Sequence, residues 1–289
     1  LQASYAALYA ELGLLANSPN SAGAWTQRTL PTSKNWQSVT YGNGVFVAVA
    51  YNSAIAATSP DGITWTQRVL PTSANWYSVT YGNGVFVAVA QSSTIAATSP
   101  DGITWTQRVL PTSASWYSVT YGNGVFVAVA NGSTIAATSP DGITWTQRVL
   151  PTSTAWISVT YGNGVFVAVA VNSTIAATSP DGITWTQRVL PTSTYWQSVT
   201  YGNGVFVAVA NGGTIAATSP DGITWTQRVL PTSTNWQSVT YGDGVFVAVA
   251  QSSTIAANTP SILTYNRSTQ FAVPAPAGQV GIKQYIKAL

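Results

Sequence analysis

The residues best suited to acid–base chemistry in this sequence are its carboxylates, and they are few. The chain has seven Asp and Glu residues and no His or Cys. Catalysis by a Ser-His-Asp or Cys-His set is therefore excluded, and so are the usual zinc and copper ligand sets. We expect no metal site and no cofactor. The acids are Glu11, Asp61, Asp101, Asp141, Asp181, Asp221 and Asp243.

Five of the aspartates recur every 40 residues, each in the sequence Ser-Pro-Asp-Gly-Ile-Thr-Trp. Pro followed by Asp-Gly is typical of a tight turn. Glycoside hydrolysis requires two carboxylates that flank the scissile bond, and the sequence offers no such pair. We therefore predict that the five aspartates form turns and that the protein is not an enzyme.

The same interval runs through most of the chain. Trp-Thr-Gln-Arg recurs with this spacing and without a single insertion. A fixed period of this kind predicts an array of equal structural units. The six copies begin at Trp25, Trp65, Trp105, Trp145, Trp185 and Trp225.

Within one unit the pattern predicts four short strands. Residues 76–81, 85–90, 94–98 and 103–110 are such segments, and residues typical of turns separate them. Four strands in every 40-residue repeat predict an all-β fold, a six-bladed β-propeller with four-stranded blades. We expect the apolar second strand, Val85–Ala90, to be buried on both faces between neighbouring blades.

The two ends of the array predict how the ring closes. Strands one to three occur six times, whereas the fourth strand degenerates after Ala257. One intact fourth strand, Trp25–Leu30, stands before the first unit, and we predict that it completes the last blade. The expected domains are an N-terminal helix and linker (1–24), the propeller (25–264) and a C-terminal segment (265–289).

The turn Ser99–Trp105 resembles the Asp-box of sialidase-like propellers, with one residue fewer between Asp and Gly. The resemblance implies that the Asp carboxylate accepts hydrogen bonds from backbone N–H groups of its own hairpin and that the Trp packs beneath the turn. A sialidase would also need an arginine cluster, a Tyr-Glu pair and an acid Asp. The sole Glu, Glu11, precedes the array, so the resemblance extends to the turn and not to catalysis.

The segments that flank the array resemble phage tail-collar and tail-fibre proteins. Tyr5, Leu8, Tyr9 and Leu12 share one face of a predicted helix in residues 2–13. Ser-Thr-Gln-Phe-Ala-Val-Pro (268–274) and Lys-Gln-Tyr-Ile-Lys-Ala-Leu (283–289) are similar to later stretches of that family, although its Asp-Gly and Asp-Leu-Arg-Gly segments are absent. The resemblance implies a small collar-like part with the propeller inserted in its loop. It also implies a place in the tail fibre of a virion, with other fibre subunits as partners, for example in a homotrimer.

The units differ from one another in two stretches, one around the first Trp of the unit and one between strands two and three. In an up-and-down meander both stretches lie at the same end of the blade. Their Asn, Tyr, Ser, Gln and Thr residues are typical of an adaptable recognition surface. The candidate ligand-binding residues are Asn35, Trp36, Gln37, Tyr51, Asn52, Asn75, Trp76, Tyr77, Gln91, Ser115, Trp116, Tyr117, Asn131, Trp156, Asn172, Tyr195, Trp196, Gln197, Asn211, Asn235, Trp236, Gln237 and Gln251.

The tryptophans of this set have two interpretations. Trp36 and its equivalents could stack on a sugar or an aromatic ligand, or they could form the core between blades. Tyr77, Tyr117 and Tyr195 are the stronger candidates for direct contact with a ligand.

Two functions are compatible with these patterns. The first is a non-enzymatic receptor-binding module of a phage tail fibre that recognises a cell-surface glycan or another host receptor. The second is a structural decoration or protein-interaction scaffold of the tail. The ten Lys and Arg residues are not clustered, so we expect no nucleic-acid partner. No apolar run approaches the roughly 20 residues of a membrane helix, so we expect no membrane insertion.

Overall fold

The fold is all-β and antiparallel. The computed structural model describes residues 27–242 and 244–259, which form one sheet of fifteen strands and contain no helix. This part of the chain contains no helix that is long and apolar enough to cross a membrane. The helix expected in residues 2–13 and the C-terminal segment lie outside the described residues. The strands are β1 (Trp36–Gly42), β2 (Val45–Ala50), β3 (Ser53–Ser59), β4 (Thr66–Gly82), β5 (Val85–Gln91), β6 (Ser93–Ser99), β7 (Thr106–Gly122), β8 (Val125–Ser139), β9 (Thr146–Gly162), β10 (Val165–Ser179), β11 (Thr186–Gly202), β12 (Val205–Ser219), β13 (Thr226–Gly242), β14 (Val245–Ala250) and β15 (Ala256–Asn258).

The repeat in the sequence reappears as a repeat of antiparallel pairs. We number the units one to six by their first strands, which begin at Trp36, Trp76, Trp116, Trp156, Trp196 and Trp236. In unit two the first strand pairs with β5 through a two-residue turn, in which Asn83 and Gly84 have φ angles of 47° and 78°. Two positive φ angles are what a type I′ hairpin requires, so the Gly-Asn-Gly sequence directs this turn.

The fourth strand of units one to five differs from the prediction. We expected it at residues 103–110 in unit two, but β7 begins at Thr106, because the amides of Ile103 and Thr104 donate to the Asp101 carboxylate and hold these residues in the turn. The strand then continues without a break into the first strand of unit three. The first half of β7 pairs with β6 and its second half with β8.

The core lies between consecutive units, as the apolar second strands predict. Val87, Ala88, Val89 and Ala90 have no exposed surface. In the junction of units one and two, the side chains of Val47 and Val49 pack with those of Phe86 and Trp76. The prediction that the second strand is buried on both faces is confirmed.

Hydrogen bonds also join consecutive units. The amide of Val79 in unit two donates to Ser38 Oγ of unit one (3.1 Å), and the same bond recurs at each of the five consecutive junctions. At the opposite end of the blades, Asn43 Nδ2 donates to the carbonyl of Pro100 (3.4 Å) in the next unit. A Cβ at Gly42 would overlap the ring of Tyr81, so the Gly permits this close approach.

Among the described residues, no hydrophobic cluster joins unit six to unit one. A cavity of about 580 Å³, which we call the seam cavity, is lined by Val39 of unit one and by Ser238 and Val249 of unit six. Val39 is 60 % exposed, whereas its equivalent Val79 is 5 % exposed. At the other junctions the amide of this valine donates to a serine Oγ of the preceding unit. Within the described residues, the equivalent bond from the Val39 amide to Ser238 is not formed.

The strand predicted to close the ring is not formed where the structure describes it. Residues 27–30 have no strand conformation, and within residues 27–242 and 244–259 the last strand, β15, pairs with β14 alone. Arg28 and Leu30 nevertheless line the seam cavity. Trp25 and Thr26 lie outside the described residues.

Candidate ligand-binding site

The two variable stretches of each unit lie side by side, as the meander predicts. Asn75 pairs with Gln91 in unit two, and Tyr195 pairs with Asn211 in unit five. We call this end of the units the variable end. The Gly-Asn-Gly and Ser-Pro-Asp-Gly turns form the opposite end, which we call the turn end.

The residue that follows the first Trp of each unit points to a cavity shared by all six units. Each first strand has a register shift at this point, for example between Trp76 and Ser78. Such a bulge breaks the strict alternation of side chains, so neighbouring residues such as Gln37 and Ser38 reach the same cavity. We call it the central cavity, and its volume is about 180 Å³. Its lining residues are Gln37, Ser38, Tyr77, Tyr117, Ser118, Ile157, Ser158, Gln197, Ser198, Gln237 and Ser238.

Tyrosines form one side of the central cavity. The ring centroids of Tyr77 and Tyr117 lie 4.2 Å apart, with the ring planes tilted by 43°. Burial raises the pKa of the Tyr77 phenol to about 12, and the neighbouring Tyr117 and Tyr51 add to the rise. Burial also raises the pKa of Tyr117. Both phenols are therefore neutral at physiological pH.

Amides form the other side. Gln37, Gln197 and Gln237 occupy the position that Tyr77 and Tyr117 occupy in units two and three. On the tyrosine side, Gln91 Nε2 donates a hydrogen bond to the Tyr117 hydroxyl (2.9 Å). Among the described residues that line the cavity, none carries a charge. The cavity is thus a neutral site with aromatic faces, amides and hydroxyls.

The tryptophans belong to the core. Trp76, Trp116, Trp156, Trp196 and Trp236 have no exposed surface. The Trp76 indole Nε1 donates to the carbonyl of Thr72 (3.2 Å), and equivalent bonds recur in the other units. These five residues cannot stack on a ligand, because none of their surface is exposed. Trp36 is half-buried and lines the seam cavity instead.

The remaining candidates lie outside the central cavity. Tyr195 is 54 % exposed, and its ring takes no part in the tyrosine pair. Exposed residues at the variable end are Asn35, Asn52, Asn172, Asn235 and Gln251, and half-buried ones are Tyr51, Asn75, Gln91, Ser115, Asn131 and Asn211.

The sequence comparison between units missed part of the lining. Ser38 and its equivalents are identical in every unit, and Ile157 is apolar, so a search for variable polar residues passed over them. Residues 37 and 38 are neighbours in sequence, and strict alternation in a strand would separate their side chains. Without the bulge, the sequence therefore gives no sign that they line one cavity.

The aspartates at the turn end are structural, as predicted. Asp101 Oδ1 accepts hydrogen bonds from the amides of Ile103 (2.8 Å) and Thr104 (3.0 Å) and from Ser99 Oγ (3.0 Å). These bonds, led by the one from Thr104, lower the pKa of Asp101. The Trp105 indole donates to the carbonyl of Gly102 (3.0 Å). Over the described ranges, no three His, Cys, Asp or Glu residues are grouped in a way that could hold a metal ion.

Comparison with known proteins places the fold among β-propellers. No protein-family model and no curated protein matches the chain. Among solved structures, a catalytically inactive virginiamycin B lyase from Staphylococcus aureus with quinupristin matches with a TM-score of 0.70 at 14 % identity, over 82 % of this chain and 89 % of that one. YCF48 bound to D1 peptide matches with a TM-score of 0.61 at 17 % identity, over 82 % and 84 %. YCF48 from Cyanidioschyzon merolae matches with a TM-score of 0.54 at 14 % identity, over 79 % and 96 %. Identities this low describe the fold alone.

Proposed function

We propose that this protein is a non-enzymatic receptor-binding module whose variable end recognises a cell-surface glycan. The observation that carries the proposal is the location of the differences between units. The differences lie at one end of the units, and those at the position after the first Trp surround a neutral cavity that contains a pair of tyrosine rings, whereas the turn end repeats the same hydrogen bonds in unit after unit. If the units only had to form a ring, the residues around the shared cavity would not need to differ from one unit to the next.

The chemistry of the variable end suits a carbohydrate. Sugars offer flat C–H faces that pack on aromatic rings, and hydroxyls that exchange hydrogen bonds with amides. The central cavity combines Tyr77 and Tyr117 with Gln37, Gln197 and Gln237, and binding sites typically pair apolar surface with a few placed polar groups. The six units therefore build one joint site, in place of the six equal sites that a repeat alone would suggest.

We propose further that the units form a closed six-bladed ring and that Trp25–Leu30 completes the last unit. In each of four junctions, a Trp such as Trp105 fills the core between two units. Unit six has a cavity of about 150 Å³ instead. Val207, Val209, Val239, Phe246, Ala248 and Ala257 line it, and they are equivalent to the residues around Trp105.

The spacing in the N-terminal segment fits this closure. Trp25 precedes Leu30 by the same interval by which Trp105 precedes Leu110. Leu30 lines the seam cavity beside Trp36, as Leu70 packs beside Trp76 in the first junction. A fourth strand at residues 25–30 would therefore place an indole in the cavity of unit six and an apolar side chain in the seam.

The proposed biological setting rests on the flanking sequences. Their resemblance to tail-collar and tail-fibre proteins supports a place at the tail fibre of a phage or phage-like particle, outside the cell. Other fibre subunits, for example in a homotrimer, would then be partners. Several copies on one particle would raise a weak affinity per site to a useful avidity.

A homogenised variant tests the binding function. In this variant the two variable stretches of every unit carry the residues of unit six, and the turn end is unchanged. We expect the natural chain to bind at least one surface glycan on an array of bacterial polysaccharides, and the homogenised variant to lose that binding while it keeps its melting temperature. Equal binding by both chains would refute a role for the variable end.

The second candidate function is a scaffold that binds another protein and binds no glycan. YCF48, whose fold is similar, is solved with a bound peptide, so this fold can present a surface to a polypeptide. The same array distinguishes the candidates, because a scaffold would leave every polysaccharide unbound and would be retained by isolated fibre subunits.

A further inference from the structure

We infer that the central cavity holds a single neutral sugar ring at the end or on a branch of the glycan, packed on the Tyr77–Tyr117 pair with its hydroxyls toward the glutamines. This inference rests on the proposed function and specifies its ligand. Three features of the cavity support it: its size, the division of its lining, and its lack of charge.

The size of the cavity admits one ring. A volume of about 180 Å³ corresponds to about six water molecules at about 30 Å³ each. The lining comes only from the two positions after the first Trp of each unit, so the cavity is shallow. A longer glycan would therefore place one terminal ring inside, and the rest of the glycan would extend away from the cavity.

The lining is divided between aromatic and amide residues. Tyr77 and Tyr117 come from consecutive units, and their tilted rings offer a joint apolar surface on one side. Gln197 and Gln237, also from consecutive units, stand on the other side and offer both donors and acceptors. A pyranose has the matching division, since its C–H face is apolar and its hydroxyls point outward.

The Tyr117 hydroxyl can donate a hydrogen bond to the ligand. The Tyr117 oxygen accepts the hydrogen bond from Gln91 Nε2 at 2.9 Å. A phenol has one O–H donor as well as its acceptor capacity, so the Tyr117 hydrogen remains available. The Gln91 contact fixes the position of that hydroxyl at the edge of the cavity.

The absence of charge selects against acidic sugars. A carboxylate in the cavity would lose part of its water and meet no cation among the described lining residues, and a charge that loses water without a charged partner is disfavoured. The tyrosines are also uncharged near neutral pH, because the pKa of a phenol is about 10 and burial raises that of both Tyr77 and Tyr117. We therefore expect neutral hexoses to bind and uronic or sialic acids to be rejected.

Methyl glycosides of glucose, galactose and mannose, together with methyl glucuronoside, are suitable probes. Saturation-transfer NMR with the full chain should show contact with at least one neutral glycoside. We expect the affinity for the glucuronoside to be lower by about tenfold or more, because its charge has no partner in the cavity.

The chain supplies its own matched variants. The double variant Tyr77→Gln with Tyr117→Gln places in units two and three the residue that three other units already have, so the fold should tolerate it. We expect it to lower the affinity for the neutral glycoside by about tenfold or more, in the range of lost aromatic packing. Tyr195→Asn is the control, since Asn stands at this position in three units and lies outside the cavity.

The outcomes separate this inference from the function on which it rests. Polysaccharide binding that survives the double variant but is lost in Tyr195→Asn would overturn the inference and leave the receptor-binding function intact. Equal affinity for the glucuronoside and the neutral glycosides would also overturn it. A chain that binds no glycoside and no polysaccharide would refute both.

Discussion

The phenol rings of Tyr77 and Tyr117 lie 4.2 Å apart, although a whole unit separates them in the sequence. They meet because the first strands of consecutive units run side by side and the bulge after each first Trp turns the next residue toward the central cavity. A linear repeat thus becomes a small ring of side chains in space. Substitution at this single position in any unit changes the lining of one shared site.

The buried phenol of Tyr77 should be visible in an alkaline titration. Its pKa is raised from 10.0 to about 12, chiefly by burial. A raised pKa means that the folded state favours the neutral phenol, so this contribution to stability is full below pH 10 and is lost as the pH rises toward 12. The ultraviolet absorbance of ionised tyrosine should therefore show a component near pH 12, and Tyr77→Phe should remove that component while the raised pKa of Tyr117 remains. A component near pH 12 that persists in Tyr77→Phe would show that another tyrosine is responsible.

The turn aspartates should make the protein sensitive to acid. The amide of Thr104 and the other donors lower the pKa of Asp101 from its ordinary value of 3.8. The stability from this carboxylate is fully present above the unfolded value and is lost as the pH falls through the folded value. We expect Asp101→Ala to lower the free energy of unfolding by about 1 kcal/mol at neutral pH, measured by urea denaturation.

The same variant provides its own control at low pH. As the pH falls below 3.8 and through the lowered pKa of the folded chain, the carboxylate becomes protonated in the natural chain, so the difference in stability between the two proteins should shrink. A difference that stays constant throughout the acid titration would contradict the role of the ionised carboxylate.

The proposed ring closure predicts a structural role for Trp25. If its indole fills the cavity of unit six, Trp25→Ala should lower the free energy of unfolding by about 3 kcal/mol, as truncation of a packed aromatic residue does. Trp105→Ala is the matched comparison, because Trp105 fills the equivalent position between units one and two. Thermal unfolding that is lowered by Trp105→Ala but not by Trp25→Ala would argue against closure by this segment.

The first Trp of a unit should affect stability and not recognition. Trp116 has no exposed surface, and its indole donates to the carbonyl of Thr112 (3.3 Å). We expect Trp116→Phe to lower the melting temperature while its glycan affinity, measured well below that temperature, stays within about twofold of the natural value, since stacking with a ligand is not its role. A selective loss of affinity in a fully folded Trp116→Phe protein would restore the alternative that the tryptophans contact the ligand.

Much of the fold could be predicted because each unit repeats strong local signals. Asn83-Gly84 directs a hairpin, Asp101-Gly102 directs a turn, and the run at residues 85–90 has no polar side chain to expose. The common end of the variable stretches also followed from the meander. These features depend on neighbours in sequence, and one unit is enough to determine them.

The central cavity could not be predicted in the same way. Alternation along a strand would put Gln37 and Ser38 on opposite faces, and only the bulge, which no local turn residue announces, brings them to one cavity. The long strand β4 likewise joins two units that the turn pattern had separated. Tyr195 was expected at the site on the basis of residue type, but its position one residue before the Trp leaves it outside the cavity.

A crystal structure with a bound neutral glycan tests the central claim most directly. The polysaccharide that the array identifies, cut to a short oligosaccharide, should be soaked into crystals of the full chain. We predict density for one sugar ring between the Tyr77–Tyr117 pair and the glutamines of units five and six. Density for the oligosaccharide at the turn end or on the outer strands, with the central cavity unchanged, would contradict the account.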